Sequence, residues 1–258
     1  MCIRDRSIVN YADLRRYNTI IIPSGGSLTK NNKTILTDWV KQGGTLIAHN
    51  GSVRALTSEE GVGNVKQIQN SFDKSNNFNI DLQREIYALS DEIDYESVLG
   101  NKVNTEISYP WETSKKKLSQ KELEDRDKWQ SLFMPSGSFV GARTDQKHWL
   151  TFGSTEILPV LYSNYPVLMT DKNSQAAVRI GEIIDSPENN EVKVLNWSTI
   201  PAGKDINIRM SGLVWPEAAQ RIANSAYVTR ERLGSGQVIL FSGAVSYTHL
   251  RAHETLRY

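Results

Sequence analysis

A buried strand, an amphipathic helix and a second buried strand follow one another between Thr19 and Ala48, and this run constrains the fold more than any other feature. T-I-I-I at Thr19–Ile22 is a β-branched apolar run closed by Pro23 and the turn S-G-G-S. Over residues 31–42 the apolar side chains Ile35, Leu36, Trp39 and Val40 recur at helical spacing, and Gly43-Gly44 stops the helix. T-L-I-A at 45–48 is a second buried strand, and H-N-G-S at 49–52 turns the chain toward another helix. A strand–helix–strand unit with short Gly-rich connections crosses over right-handedly and predicts a parallel sheet covered on both faces. The expected fold class is therefore α/β.

The chain has 258 residues, 30 Lys+Arg against 29 Asp+Glu, and a single Cys. The balanced charge argues against a nucleic-acid partner, and the lone Cys excludes a disulfide scaffold. No apolar run approaches the roughly 18 residues of a membrane-spanning helix, so no membrane span is expected. The ends carry their own signal. M-C-I-R-D-R at residues 1–6 back-translates onto a transposon-end sequencing adapter, V-S-Y-T-H-L at 245–250 onto its reverse complement, and R-A-H-E-T at 251–255 onto that adapter's continuation. Residues 1–6 and 245–258 are therefore expected to be translated adapter. Residues 7–244 are then the genuine segment, an internal piece of a longer reading frame from a metagenomic assembly. That segment contains no cysteine and two histidines, His49 and His148.

Residues 57–130 are rich in Asn, Ser, Lys, Asp and Glu, with scattered apolar positions such as Ile68, Phe72, Ile86 and Leu89. They predict a long helical insertion. Its charge run K-K-K-L-S-Q-K-E-L-E-D-R-D-K at 115–128 interleaves acids with bases, and the spacing of Leu118, Leu123 and Trp129 makes it a solvated amphipathic helix rather than a nucleic-acid patch. From Phe133 onward the texture is β. Residues 137–143 alternate, 160–162, 166–169 and 176–180 are short apolar runs, and 226–232 with 237–241 predict a hairpin through L-G-S-G. Between them Pro216 suits the first position of a helix ending near Asn224.

No catalytic constellation emerges. Neither His is part of an H-x-x-E or H-E-x-x-H zinc pattern. The strand-to-helix turn at 47–52, where hydrolases and amidotransferases hold a nucleophile, has no Cys, and Ser52 lies outside a G-x-S-x-G frame. His49 occupies roughly the nucleophile position. The candidate pocket contacts are Ser24, Gly25 and Gly26, which read either as a Gly-Gly turn or as a phosphate cradle, together with His49 and Asn50. H-W-L-T-F-G at 148–153 reads as core aromatics or as a carbohydrate platform. Trp215-Pro216-Glu217 reads as a helix start.

Six segments in order, D-L-R-R-Y-N-T-I-I-I-P-S-G-G (13–26), L-T-D-W-V-K-Q-G-G-T-L-I-A (36–48), F-M-P-S-G-S-F (133–139), D-Q-K-H-W-L-T-F-G (145–153), S-G-L-V-W-P-E (211–217) and G-S-G-Q-V-I-L-F (234–241), resemble the C-terminal region of bacterial zinc carboxypeptidase-family proteins. That region is similar to the class I glutamine amidotransferase fold, so the resemblance implies a flavodoxin-like parallel sheet with a helical insertion and additional β-hairpins. It implies a non-catalytic accessory domain whose partner is the catalytic peptidase domain of the same parent chain. Zinc is expected in that missing domain and no cofactor in this one. A periplasmic or extracellular location is expected from the family. No catalytic residue of either family has a counterpart here. A stand-alone ligand- or carbohydrate-binding module without enzymatic activity is the alternative, and a hydrolase built on Ser24 or Ser52 remains to be weighed.

Overall fold

A computed structural model of the chain describes residues 13–24, 28–58, 60–89 and 118–243. Residues 1–6 and 245–258, Gly25, Gly26 and the start of the charge run at 115–117 lie outside the described residues. β1 (Thr19–Ile22) leads to α1 (Lys30–Lys41), which Thr29 caps by accepting the Asn32 N–H at 3.2 Å. β2 (Thr45–His49) and the short α2 (Gly51–Leu56) follow. Then come β3 (Lys66–Gln67), α3 (Ser75–Leu89) and α4 (Gln120–Ser131). The β-rich half contains β4 (Ser138–Thr144), β5 (Ile157–Tyr162), β6 (Leu168–Met169), β7 (Ser174–Ile180), β8 (Glu182–Asp185), β9 (Lys193–Val194), β10 (Thr199–Ile200), β11 (Lys204–Asn207) and β12 (Arg209–Ser211). α5 (Pro216–Ile222), β13 (Ala226–Leu233) and β14 (Gly236–Phe241) complete the described chain.

The fold is mixed α/β. Among the described residues the main sheet has ten strands, with the path β1-β2-β14-β13-β7-β4-β12. β1 pairs with β2, and β2 with β14, in parallel, as the strand–helix–strand unit predicts. From β14 onward the pairs are antiparallel, so the parallel part is confined to three strands. The switch begins at the β13–β14 hairpin, where Gly234, at φ 61°, closes a tight turn and the two strands can only pair antiparallel; β7, β4 and β12 then join through pairings between segments remote in sequence.

The register Ile20↔Leu46↔Val238 and Ile22↔Ala48↔Leu240 places these buried side chains on the face that α1 and α2 cover with Leu36, Trp39, Val40, Val53 and Leu56. Fully burying each large aliphatic side chain is worth about 1.5–3 kcal/mol. On the other face Ile21, at the edge, stays 37% exposed, whereas Ile239 further in is 3% exposed. The second core cluster joins β4, β5, β7 and β13 to α3, α4 and α5 through Phe78, Leu82, Leu123, Val140, Ile180 and Ile222. The helices of the 57–130 stretch thus contribute to this core. Trp129, expected on the buried side of α4, is instead 57% exposed. No helix among the described residues is long and apolar enough to cross a membrane.

Candidate functional site

The carboxyl ends of the three parallel strands are where an open α/β sheet usually holds a ligand. Ser24 is exposed just beyond β1, and Ser52, fully buried, donates its hydroxyl to the Pro23 carbonyl. That hydroxyl is thereby committed to the fold, which removes Ser52 as a nucleophile. His49 is still within β2, opposite Phe241 of β14, and its Nδ1 is buried with no hydrogen-bond partner among the described residues. Burial lowers the His49 pKa and favours the neutral ring.

The bend itself falls on Asn50, at φ 54° and ψ −124°. Its N–H donates to the Phe241 carbonyl at 3.0 Å and its own carbonyl accepts the Val53 N–H at 3.0 Å, so the backbone is fixed from both sides. The Asn50 side chain makes no capping bond to the helix it precedes. Sequence reasoning put His49 near the nucleophile position, whereas the strained residue between strand and helix is Asn50, whose neutral amide is no nucleophile. The pairing Ile22↔Ala48 sets Ser24 and Asn50 two residues beyond one rung of the sheet. Ser24, His49 and Asn50 therefore sit at one end of the sheet, and the two cavities described next are lined by other residues.

A groove of about 320 Å³ opens between the 132–138 segment and residues 213–215. Leu213 and Trp215 line one wall, 63% and 51% exposed, and Phe133, Met134 and Ser136 line the other. Ser138 Oγ donates to the Leu213 carbonyl at 2.8 Å and ties the walls together. Gly212, at φ 86°, permits that approach, since a Cβ there would stand 3.0 Å from Ser138 Oγ. Beneath, Asp127 of α4 and Arg221 of α5 form a buried bidentate pair at 2.7 and 3.1 Å. Arg221 also reaches the Met134 sulfur at 3.6 Å, so both helices hold the 132–138 wall. Pro216 opens α5 as expected, and Trp215 immediately before it is at once helix entry and groove wall. Two of the six segments named above, 133–139 and 211–217, meet here, which no local pattern in either could reveal.

The 148–153 segment divides. His148 is 8% exposed and stacks on Trp149 with ring centroids 6.0 Å apart. Its Nδ1 accepts the Leu150 N–H, and its Nε2 has no partner among the described residues. Trp149 and Phe152 are exposed rather than core. A second cavity, about 240 Å³, is lined by Asp145, Asp171, Lys172 and a partly buried ion pair. In that pair Arg179 grips Glu85 through two 2.6 Å bonds and also donates to Thr170 Oγ1 and the Asn224 carbonyl. Burial alone would raise the Glu85 pKa, yet Arg179 and then Arg143 bring it below the ordinary value. Every polar group of Arg179 is satisfied from within, which makes the pair a structural joint between α3 and β7. No group of three or more His, Cys, Asp or Glu side chains among the described residues is arranged to hold a metal ion.

No family model matches the chain, and no curated protein does. Solved structures similar to it include Gan42B, a GH42 beta-galactosidase, at 10% identity and TM-score 0.38, with 95% of this chain and 22% of that chain covered. Two others are cytoplasmic protein STM1381 from Salmonella typhimurium LT2, at 11% identity and TM-score 0.37, and cytoplasmic protein STM3548 from Salmonella typhimurium, at 11% and 0.38. Each comparison covers 95% of this chain and 67% of the other. The chain thus spans less than a quarter of the beta-galactosidase's length.

Proposed function

We propose that this chain is a binding module without catalytic chemistry of its own, and that it takes a carbohydrate in the Trp215 groove. The observation that carries this reading is the groove itself. A half-exposed indole faces a wall that combines the apolar Phe133 and Met134 with the polar Ser136. A pyranose has the matching character, an apolar C–H face to lie on the ring and a rim of hydroxyls for the polar wall. The volume suits a ligand of one or two sugar rings. The neutral amide of Asn50 at the strand-to-helix bend, in a unit we read as amidotransferase-like, supports the absence of acyl-transfer chemistry.

The test is calorimetric titration of the full chain with glucose, galactose, N-acetylglucosamine and their β-linked oligomers, with tryptophan fluorescence recorded alongside. Saturable binding is expected, and Trp215→Ala should weaken it roughly tenfold or more, as loss of a central aromatic anchor does. Binding that survives Trp215→Ala but is lost in Trp149→Ala would move the site to the 148–153 segment. The absence of saturable binding across the panel would overturn the reading.

A second reading rests on the resemblance to the zinc carboxypeptidase family. The exposed Leu132 and Leu213 of the groove, with the exposed Phe139 and Met210, would then face the catalytic peptidase domain of the parent protein. Zinc-dependent release of a C-terminal residue from a peptide by the purified chain would overturn both readings.

A further inference from the structure

Asn50-Gly51 is the one Asn-Gly step in the chain, and it lies at the strained bend between β2 and α2. Seen down the Cα–C bond, Cβ stands about 120° from the backbone nitrogen, so a ψ near −120° brings the next residue's nitrogen into eclipse with Cβ. Asn50 has ψ −124°. The Gly51 nitrogen is therefore nearly coplanar with the Asn50 Cα–Cβ bond, the arrangement required to close a five-membered ring onto the side-chain carbonyl carbon, Cγ. Helical and strand backbones hold ψ near −42° and +135°, far from that eclipse, which is how folding ordinarily protects an Asn-Gly step.

Three further features favour closure. Gly51 is the first residue of α2, and the first N–H groups of a helix have no intrahelical partner. Glycine adds no Cβ to obstruct the approach. The Asn50 side chain makes no capping bond, so its amide is free to turn toward Gly51.

We propose that Asn50-Gly51 is a self-modifying site, at which the fold directs the Gly51 nitrogen onto Asn50 Cγ. The new N–Cγ bond forms as the Gly51 nitrogen loses its proton to solvent. The Cγ–Nδ2 bond then breaks, and ammonia leaves carrying a proton from solvent. The resulting succinimide takes up one water. Attack at Cγ restores a normal backbone with aspartate at position 50, and attack at the main-chain carbonyl gives isoaspartate. The net change is one water consumed and one ammonia released, with no redox step. The product places a carboxylate next to His49 at the carboxyl end of the parallel strands. Isoaspartate also lengthens the backbone where Ser52 is tied to Pro23.

The experiment ages the wild-type chain, native and urea-unfolded, near physiological pH and temperature, and follows the tryptic peptide spanning residues 42–54 by mass spectrometry. Species one mass unit heavier, and a succinimide lighter by the mass of ammonia, are expected to accumulate about tenfold faster in the native chain, because orientation replaces a conformational search. Labelling by an isoaspartate-specific methyltransferase should rise in step, and the Asn70-Ser71 step should show no native acceleration. Conversion in the native chain at or below the unfolded rate, or an equal acceleration at Asn70, would overturn the proposal.

Discussion

Glu231 shows how much a single buried side chain can depend on partners remote in sequence. It is 1% exposed and accepts from the Asn64 N–H, the Asn64 side-chain amide and the Val65 N–H, and Gly63 packs so closely that a Cβ there would stand 2.5 Å from its Oε2. Burial raises its pKa despite those donors. A carboxyl whose folded pKa lies above its unfolded value favours the fold below the unfolded pKa, and that contribution is lost as pH rises through the folded pKa. Stability curves of wild type and Glu231→Gln should therefore diverge in the variant's favour as pH rises above the ordinary carboxylate range, read by urea denaturation at each pH. A constant difference would show that the carboxylate carries no such cost. Nothing in the residues around Glu231 in sequence announces this, since an acid in an alternating strand reads as solvent-facing. The bend at 49–52 was legible as a turn, but which of its residues takes the positive φ was set by the Asn50–Phe241 hydrogen bond across to β14.

At the scale of elements, α4 illustrates what a helix can and cannot disclose. Its start is held by two side chains three residues apart. Ser119 and Glu122 form a reciprocal capping box, with the Ser119 N–H donating to the Glu122 carboxylate at 2.7 Å. Its buried face is set from elsewhere. Leu123, Asp127 and Gln130 share that face, and two of the three are polar because Arg221, Gln220 and Asn196 wait on the neighbouring elements. Amphipathic spacing assigns Trp129 inward and Asp127 outward, the reverse of what Arg221 decides. Two substitutions should separate the contributions by chemical denaturation. Ser119→Ala removes a cap and should cost about 1 kcal/mol. Arg221→Ala strands the buried Asp127 carboxylate and should cost about 3–5 kcal/mol. Equal costs would show that the pair is effectively solvated.

For the whole molecule, one sheet runs through both core clusters. β13 contributes Ala226 to the cluster beneath α1 and α2, and Tyr227 and Val228 to the cluster beneath α3, α4 and α5. Thermal unfolding should accordingly be a single transition, with far-UV circular dichroism and tryptophan fluorescence coincident. Separated transitions would mark the parallel unit as independent. By itself the sequence determined the strand–helix–strand unit, the β13–β14 hairpin and the Pro216 helix start, because each depends on side-chain periodicity or on the φ preferences of Gly and Pro within a few residues. Tertiary structure alone decided that the sheet is parallel over three strands and antiparallel beyond them. It also brought residues 132–138 against 213–215 as a groove, turned a polar face of α4 inward and set Asn50 at the bend. Those outcomes depend on pairings between segments tens of residues apart, whose energies come from burial and hydrogen bonding that no local pattern encodes.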